Sequence, residues 1–328
     1  MGCKKNLGKT ILDGLKLAFE LSDCNRTELK NIKGIRLWGN VALMRLAPCY
    51  QYQHNFRLCI DKDEVANLYF TDEVSKDETD NTSYIYVRIS NHVLYSATYL
   101  QSVLMLLTKS GLSFSHFTYM ELAKDFTFNV TSRLNSLMRT DGILTVINGK
   151  AVKDKKEIIS NLIEIRSRSL LRSCNAELAL RSQKGDLRLK AYNKVREIQD
   201  IGNVSGIGQG YKDYILEFYG NPRSLHRLEV SVNSVKLRSV LGNTQSLDML
   251  FNQDVLDELY KYFVSRLMRF SLSSISDDGH VRARNPIDID WILDGMGGDI
   301  NKLSHHAKNN KPNKFKYIQL NDVKFGGC

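Results

Sequence analysis

Three segments of the sequence alternate apolar and polar residues with a period of two, and this pattern constrains the fold more than any other feature. Successive side chains of a β-strand point to opposite faces of the sheet. The alternation therefore predicts strands with one core face and one polar face. The three segments are 117–126, 187–195 and 225–233. The pattern also predicts short strands at 35–46, 55–60, 65–70 and 84–90. We expect an α+β protein with a mainly antiparallel central sheet and flanking helices.

Apolar residues at helical spacing predict helices between and around these strands. The predicted helices are 8–22, 95–108, 130–139, 153–172 and 248–270. We accordingly divide the chain into four consecutive segments. They are an N-terminal helix in 1–30, an α+β domain in 31–235, a helical extension in 236–275 and a polar C-terminal appendage in 276–328.

The strand 187–195 carries different chemistry on its two faces. Its core face carries Leu187, Leu189 and Ala191. Its polar face carries Arg188, Lys190, Tyr192 and Lys194. A phenol ionises near pH ~10 unaided, and nearby cations favour its ionised form and attract phosphate. The polar face thus has what attack of a tyrosine on a phosphodiester requires. Taken alone, the pattern also fits a half-buried strand with a solvated basic face.

Carboxylates lie on the other two alternating strands. Glu121 and Asp125 share a face of 117–126 with only Ala123 between them, and Glu229 alternates with Arg227 on 225–233. Hard oxygen ligands of this kind suit Mg²⁺ or Mn²⁺. The first pair also fits a solvated acidic strand face, and the second also fits a structural ion pair.

The charge balance favours a polyanionic partner. Lys and Arg number 46 against 36 Asp and Glu, which gives a formal net charge of +10. An excess of this kind is typical of proteins that bind nucleic acid or an anionic membrane face. The six cysteines have no metal-finger spacing, and no apolar run reaches the length of a membrane span. We therefore expect a cytoplasmic protein with free thiols.

The order of three short motifs resembles that of rolling-circle replication initiators. The motifs are Met120-Glu-Leu-Ala-Lys-Asp-Phe126, then Ala191-Tyr-Asn-Lys194, then Arg227-Leu-Glu229. The chain looks most like the gene-II type replication proteins of filamentous phages and the plasmid initiators called Rep_trans. Those families run Arg-Ile-Asp, Tyr-x-Lys and Arg-Phe-Glu at similar intervals. The likeness covers roughly residues 84–270 and implies a nickase-like initiator domain.

The resemblance implies roles for individual residues of this chain. Tyr192 matches the nucleophilic tyrosine, and Lys194 matches the basic residue two places later. Glu229 and Arg227 match the Arg-x-Glu strand. Glu121 stands where the family has Asp, and Tyr119 stands where it has Arg, so the metal-site geometry departs from the family pattern.

The resemblance implies an endonuclease and strand transferase that nicks one strand of origin DNA through a phosphotyrosine intermediate. The expected metal ligands are Glu121, Asp125 and Glu229, and the expected DNA contacts are Arg188, Lys190 and Arg227. The implied setting is phage or plasmid replication in a bacterial cytoplasm, with a host helicase and polymerase as partners. Two alternatives remain open: a relaxase for conjugation or mobilisation, and a non-catalytic basic DNA-binding protein with a structural tyrosine.

Overall fold

The structure, a computed structural model, describes residues 7–49, 52–72, 83–140, 143–151, 176–204, 213–242, 245–275 and 281–287. It is an α+β fold with a large antiparallel sheet and flanking helices, which confirms the predicted class. The chain forms two compact units, each assembled from separate stretches rather than from consecutive segments. The 11–122 unit also contains 233–252, and the 123–232 unit also contains the described parts of 1–10 and 253–328.

The 11–122 unit is built on strands that pair mainly with their neighbours along the chain. Its strands and their bounds are β1 (Thr10–Glu20), β2 (Ile35–Trp38), β3 (Val41–Leu46), β4 (His54–Ile60), β5 (Asp63–Phe70), β6 (Tyr84–Ile89) and β7 (Ser113–Phe126). Their order across the sheet is β7, β1, β6, β5, β4, β3, β2. The pairs from β1–β6 through to β3–β2 are antiparallel. Strand β2 therefore lies at the edge of the sheet.

Helices of the same unit begin at polar capping residues. They are α1 (Asp23–Asn31), α2 (Asn91–Leu94) and α3 (Ala97–Lys109), and, from the later stretch, α7 (Ser234–Leu241) and a 3₁₀ helix over Leu247–Phe251. The Ser96 hydroxyl accepts a hydrogen bond from the Tyr99 amide at the start of α3, which satisfies an otherwise unpaired donor. Leu100, Val103 and Leu107 are buried on one side of α3, so the amphipathic pattern in 95–108 correctly predicted this helix.

The prediction of a helix over 8–22 is wrong, because these residues form β1. Leu15, Leu17 and Phe19 are fully buried, and so is Ala18, which points to the opposite face. A central strand that is covered on both faces has no apolar–polar alternation and cannot be told from a helix by periodicity. The apolar residues of β1 happen to lie at helical spacing, and this spacing predicts a helix instead of a strand.

The 123–232 unit contains two groups of strands. One has the sheet order β10 (Ala176–Arg181), β11 (Leu187–Asn193), β12 (His226–Asn233) and the end of β7. The other is a four-stranded antiparallel sheet in the order β14 (Val281–Ile287), β13 (Met268–Ile275), β8 (Ile143–Ile147), β9 (Lys150–Ala151). The predicted strand at 225–233 is confirmed. The one predicted at 187–195 ends at Asn193, because Lys194 begins a helix. The tight turn between β8 and β9 is Asn148-Gly149, both at positive φ, as the Asn-Gly pair predicts.

Helices cover this unit's strands with apolar faces. They are α4 (Val130–Met138), α5 (Lys194–Val204), α6 (Asp213–Phe218) and α8 (Gln253–Leu267). Helix α8 packs on β11 and buries Val255, Leu259 and Phe263. On β11, Leu187, Leu189 and Ala191 are buried, as the alternation predicts.

The C-terminal predictions are partly met. Segment 236–275 is helical up to Leu267, but residues from Met268 onward form β13 instead of continuing the predicted helix. Within the predicted appendage 276–328 the structure describes only β14, which pairs with β13. The rest of that appendage and the predicted helix 153–172 lie outside the described residues. Among the described residues, no helix is both long and apolar enough to cross a membrane.

Candidate active site

Strands β11 and β12 place four of the predicted site residues in two directly opposite pairs. Their antiparallel register pairs Lys190 with Glu229 and Tyr192 with Arg227. Directly opposite residues of an antiparallel pair lie on the same face of the sheet, with Cβ atoms about 4.5–5.5 Å apart. One sheet face therefore carries both the tyrosine and the carboxylate that the sequence singled out.

Glu229 accepts hydrogen bonds from both neighbours on β11. The Tyr192 hydroxyl donates to Oε2 of Glu229 at 2.8 Å, and Nζ of Lys190 lies 3.2 Å from Oε1. A carboxylate this close to a phenol can take up its proton, because the two oxygens are already within hydrogen-bond reach. Glu229 is thus within hydrogen-bond reach of the Tyr192 proton, a contact that the sequence had not suggested.

Lys194 supplies a cation beside the Tyr192 phenol. It is the first residue of α5, and its amide donates to the Leu225 carbonyl at 2.7 Å. Its Nζ lies 3.5 Å from the Tyr192 oxygen and forms an ion pair with Glu197 at 2.8 Å. A cation next to a phenol stabilises the phenolate relative to the neutral form. The predicted pairing of Tyr192 with Lys194 is therefore present in this structure.

The phenol is enclosed. Tyr192 is 3% exposed, Lys194 1% and Glu229 3%. The sequence predicted which face of β11 carries Tyr192 but not that this face is covered, since alternation indicates a side and not its surroundings. A phosphate can reach the hydroxyl only after the covering residues move.

Asp125 and Arg227 form a pair with each other. Nε and Nη2 of Arg227 donate to the two carboxylate oxygens of Asp125 at 2.7 and 2.6 Å, and both side chains are 0% exposed. Two parallel bonds of this kind are the strongest form of Arg–carboxylate contact. We therefore replace the predicted metal ligand Asp125 and the predicted DNA contact Arg227 with a buried structural ion pair.

The third predicted ligand, Glu121, lies in the 11–122 unit beside a carboxylate that the sequence analysis missed. Carboxylate oxygens of Asp13 and Glu121 approach within 4.8 Å of each other. Each also accepts a hydrogen bond from a phenol: Asp13 from Tyr95 at 2.7 Å, and Glu121 from Tyr119. Two carboxylates at this separation repel one another unless a cation or a proton lies between them. The pair fits a hard divalent cation such as Mg²⁺ or Mn²⁺.

A glycine makes room for the Glu121 carboxylate. A Cβ atom on Gly14 would lie 2.5 Å from Oε2 of Glu121, which is far inside van der Waals contact. Asp13 and Gly14 stand together between apolar residues of β1, and Lys16 is the next polar residue along the strand. These two residues were the available signal for a site, and they were missed because the stretch was assigned to a helix.

A lysine on the same strand adds a cation near this carboxylate pair. Burial lowers the pKa of Lys16, and the positive charge of Arg88 lowers it further, whereas Glu121 acts in the opposite direction. Nζ of Lys16 also lies 5.5 Å from the centre of the Tyr119 ring.

The remaining predicted residues are placed as follows. Arg188 is half-buried on β11, opposite Ser231 of β12 and Arg181 of β10. Lys190 is bound to Glu229, as described. That Glu229 shares an ion with Glu121 stays a prediction.

Comparison of the sequence with known protein families and with curated proteins gives no match.

Proposed function

We propose that this protein is a rolling-circle replication initiator, a nickase that breaks and rejoins one strand of origin DNA through Tyr192. The observation that carries the proposal is the hydrogen bond of 2.8 Å from the Tyr192 hydroxyl to Glu229, together with the Lys194 ammonium 3.5 Å from the same phenol oxygen. A nucleophile bonded to a base and flanked by a cation is the arrangement that covalent catalysis by an alcohol or phenol requires.

The proposed reaction is a transesterification. The Tyr192 oxygen forms a bond to a backbone phosphorus, the bond from phosphorus to the 3′ oxygen breaks, and the phenol proton passes to Glu229. The leaving 3′ oxygen takes up a proton from water and primes a polymerase. Because a phosphodiester is exchanged for a phosphotyrosine ester, the reverse reaction can rejoin the strand without a nucleotide cofactor.

Positive charge at the site would stabilise the transition state. The ammonium group of Lys190 lies 3.2 Å from a carboxylate oxygen of Glu229. That of Lys194 lies 3.5 Å from the Tyr192 oxygen. Preorganised cations favour the charge that develops on a phosphoryl group during substitution. Lys190, and Arg188 further along β11, are the residues we expect at the DNA backbone.

Asp13 and Glu121 are the residues that would hold a divalent cation, and Glu229 remains a predicted further ligand. Such an ion polarises a phosphoryl oxygen and offsets its charge. The carboxylate pair and the space that Gly14 leaves beside Glu121 support this assignment. The preferred ions are Mg²⁺ and Mn²⁺, which share oxygen ligands.

The resemblance to rolling-circle initiators supplies the other parts of the proposal. The substrate is origin DNA, single-stranded or supercoiled, in a bacterial cytoplasm that hosts a phage or plasmid. A separate helicase would unwind the duplex, and a host polymerase would extend the 3′ end.

A covalent-capture experiment tests the nucleophile. Attack as proposed joins Tyr192 to the 5′-phosphate of the downstream fragment. Incubation with Mn²⁺ and a random-sequence pool of single-stranded DNA should therefore give labelled protein when the DNA carries its label at the 3′ end, and none when the label is at the 5′ end.

Two variants sharpen the experiment. Tyr192→Phe removes only the hydroxyl and should abolish the adduct while DNA binding persists. The matched control Tyr262→Phe changes a tyrosine on α8 whose oxygen accepts from Arg266, and it should form the adduct as the wild type does. An adduct that survives in Tyr192→Phe contradicts the assignment of the nucleophile.

The burial of Tyr192 favours a second candidate function, that of a non-catalytic DNA-binding protein. A phenol that is 3% exposed and hydrogen-bonded to two side chains is also what a structural tyrosine looks like. In that case neither label position gives an adduct, and Tyr192→Phe lowers stability without changing DNA affinity.

A further inference from the structure

The edge strand β2 exposes three large apolar side chains within four residues. Leu37 is 69% exposed, Ile35 56% and Trp38 46%. Ile35 and Leu37 lie on one face of the strand, and Trp38 lies on the other face together with Arg36. Strand β2 also has one unpaired edge, since it is the last strand of its sheet.

A basic cleft adjoins this strand. It has a volume of about 440 Å³ and lies between α1 and β2, where Asn31, Ile32, Lys33 and Ile35 form part of its wall. Arg36 completes the wall next to Glu28. The Arg36–Glu28 pair is 4.0 Å long with both side chains well exposed, so it holds Arg36 only weakly.

Arg36, which lines this cleft, is associated with the ring of Trp38. The Arg36 guanidinium lies 4.9 Å from the centre of the Trp38 ring. The turn after Trp38 contains Gly39, whose φ of +60° suits the tight hairpin that joins β2 to β3. The hairpin thus presents an indole, a guanidinium and the nearby Lys33 ammonium to solvent.

We propose that this surface, formed by α1 and β2, binds single-stranded nucleic acid. A base would stack on Trp38 beside Arg36, and Lys33 would contact a phosphate. Aromatic rings next to cations are the usual elements of sequence-independent single-strand binding. This surface does not include Tyr192. The proposal therefore does not depend on whether Tyr192 is a nucleophile.

Charge decides between a nucleic acid and a second copy of this chain. Residues 26–45 contain five basic residues against the single acidic residue Glu28. Lys30 is paired with Asp72, and Arg26 and Arg45 donate to backbone carbonyls. Lys33 and Arg36 are the cations that line the cleft. Two copies paired through β2 would bring these cations together, in a chain that already carries a net charge of +10. A polyphosphate strand with flat bases complements both the cations and the indole.

The two tryptophans of the chain allow a direct test. Trp291 is replaced by Phe, so that Trp38 is the only indole, and Tyr192 is replaced by Phe, so that no cleavage contributes. Titration of this full-length protein with a 20-nucleotide oligothymidylate should quench the Trp38 emission, because a stacked base quenches indole fluorescence. Unchanged emission at saturation overturns the proposal.

Affinity gives the second readout. Stacking of a base on an aromatic residue corresponds to about a 5- to 150-fold change in Kd, so Trp38→Ala should weaken oligothymidylate binding by that factor. Met105→Ala is the control, since Met105 is an equally exposed apolar residue on α3. Trp38 is exposed, so its removal leaves the core intact, and circular dichroism checks this.

Salt dependence separates the phosphate contact from the stacking contact. Lys33→Ala should flatten the log–log salt slope by about 0.7, the value for one phosphate on single strands. Lys109→Ala, an exposed lysine at the end of α3, should leave the slope unchanged. If Trp38→Ala binds oligothymidylate as tightly as the wild type but converts a dimer to a monomer in sedimentation, the surface is an interface between copies and the proposal is wrong.

Discussion

Among single residues, Glu229 is central to the proposed reaction because of the contacts that it makes. One carboxylate oxygen faces Tyr192 and the other faces Lys190. A carboxylate with both oxygens occupied in this way is held in one orientation, as a general base must be. The same two contacts explain why a glutamate can be buried on β12, because a charge away from water requires a partner.

Glu229→Gln separates the base from the hydrogen bond. The amide keeps the size of the side chain and an oxygen that can accept from Tyr192, but it cannot take up a proton. We expect the single-turnover nicking rate to fall by about 10²- to 10⁴-fold, while single-strand affinity stays within about 2-fold of the wild type. A nicking rate equal to that of the wild type would show that Glu229 is not the base.

The Asp125–Arg227 pair should govern stability rather than metal binding. Asp125→Asn leaves a fully buried guanidinium without its countercharge, and loss of one partner of a buried pair costs about 3–5 kcal/mol. We expect a loss of this size in the free energy of unfolding measured with urea.

A surface pair provides the matched control for Asp125→Asn. Glu64→Gln removes the partner of Arg57, and both of these side chains are about two-fifths exposed, so the loss should be about 1 kcal/mol or less. If Asp125→Asn keeps full stability but loses Mn²⁺, the original assignment of Asp125 as a ligand was right.

Among the elements, β1 carries a carboxylate pair partner that the sequence did not predict. It brings Asp13 to Glu121 and leaves, at Gly14, the space that the Glu121 carboxylate occupies. Glycine in a strand interior often marks such a close approach.

Gly14→Ala tests the carboxylate pair through its packing. The added methyl group would displace the Glu121 carboxylate, so we expect weaker Mn²⁺ binding in isothermal titration, in the same direction as Asp13→Asn and Glu121→Gln. Glu64→Gln, which removes an exposed carboxylate of β5, should leave Mn²⁺ binding unchanged. Gly14→Ala with wild-type Mn²⁺ affinity would argue against an ion at this pair.

Element prediction from the sequence succeeded where one face of an element is polar. Strand β11 alternates along its length and was assigned correctly, as were α3 and α4 with their one-sided apolar faces. Strand β1 was assigned wrongly because burial on both faces removes the signal, and Asp13 was lost with it. The Arg227–Asp125 bond was also beyond reach, since it joins residues 102 positions apart and depends on which strands become neighbours.

For the whole molecule, two properties bear on function: the net charge and the division of the chain into two compact units. Both compact units are assembled from separate stretches of chain, which sequence composition does not indicate. The net charge of +10 favours a polyanionic partner for the molecule as a whole. Within the described residues, the exposed cation Arg36 lies next to an aromatic ring at the α1–β2 surface, and the buried cation Lys194 lies next to the Tyr192 phenol.

The most direct test of the central claim is to locate the DNA–protein bond in the wild-type protein. After capture with Mn²⁺ and single-stranded DNA, trypsin and a nuclease reduce the adduct to a peptide with an attached nucleotide. Trypsin cuts after Lys190 and Lys194, so mass spectrometry should find the nucleotide on the peptide that spans residues 191–194. A nucleotide on a peptide without Tyr192, or no modified peptide from protein that binds the DNA, would contradict the account.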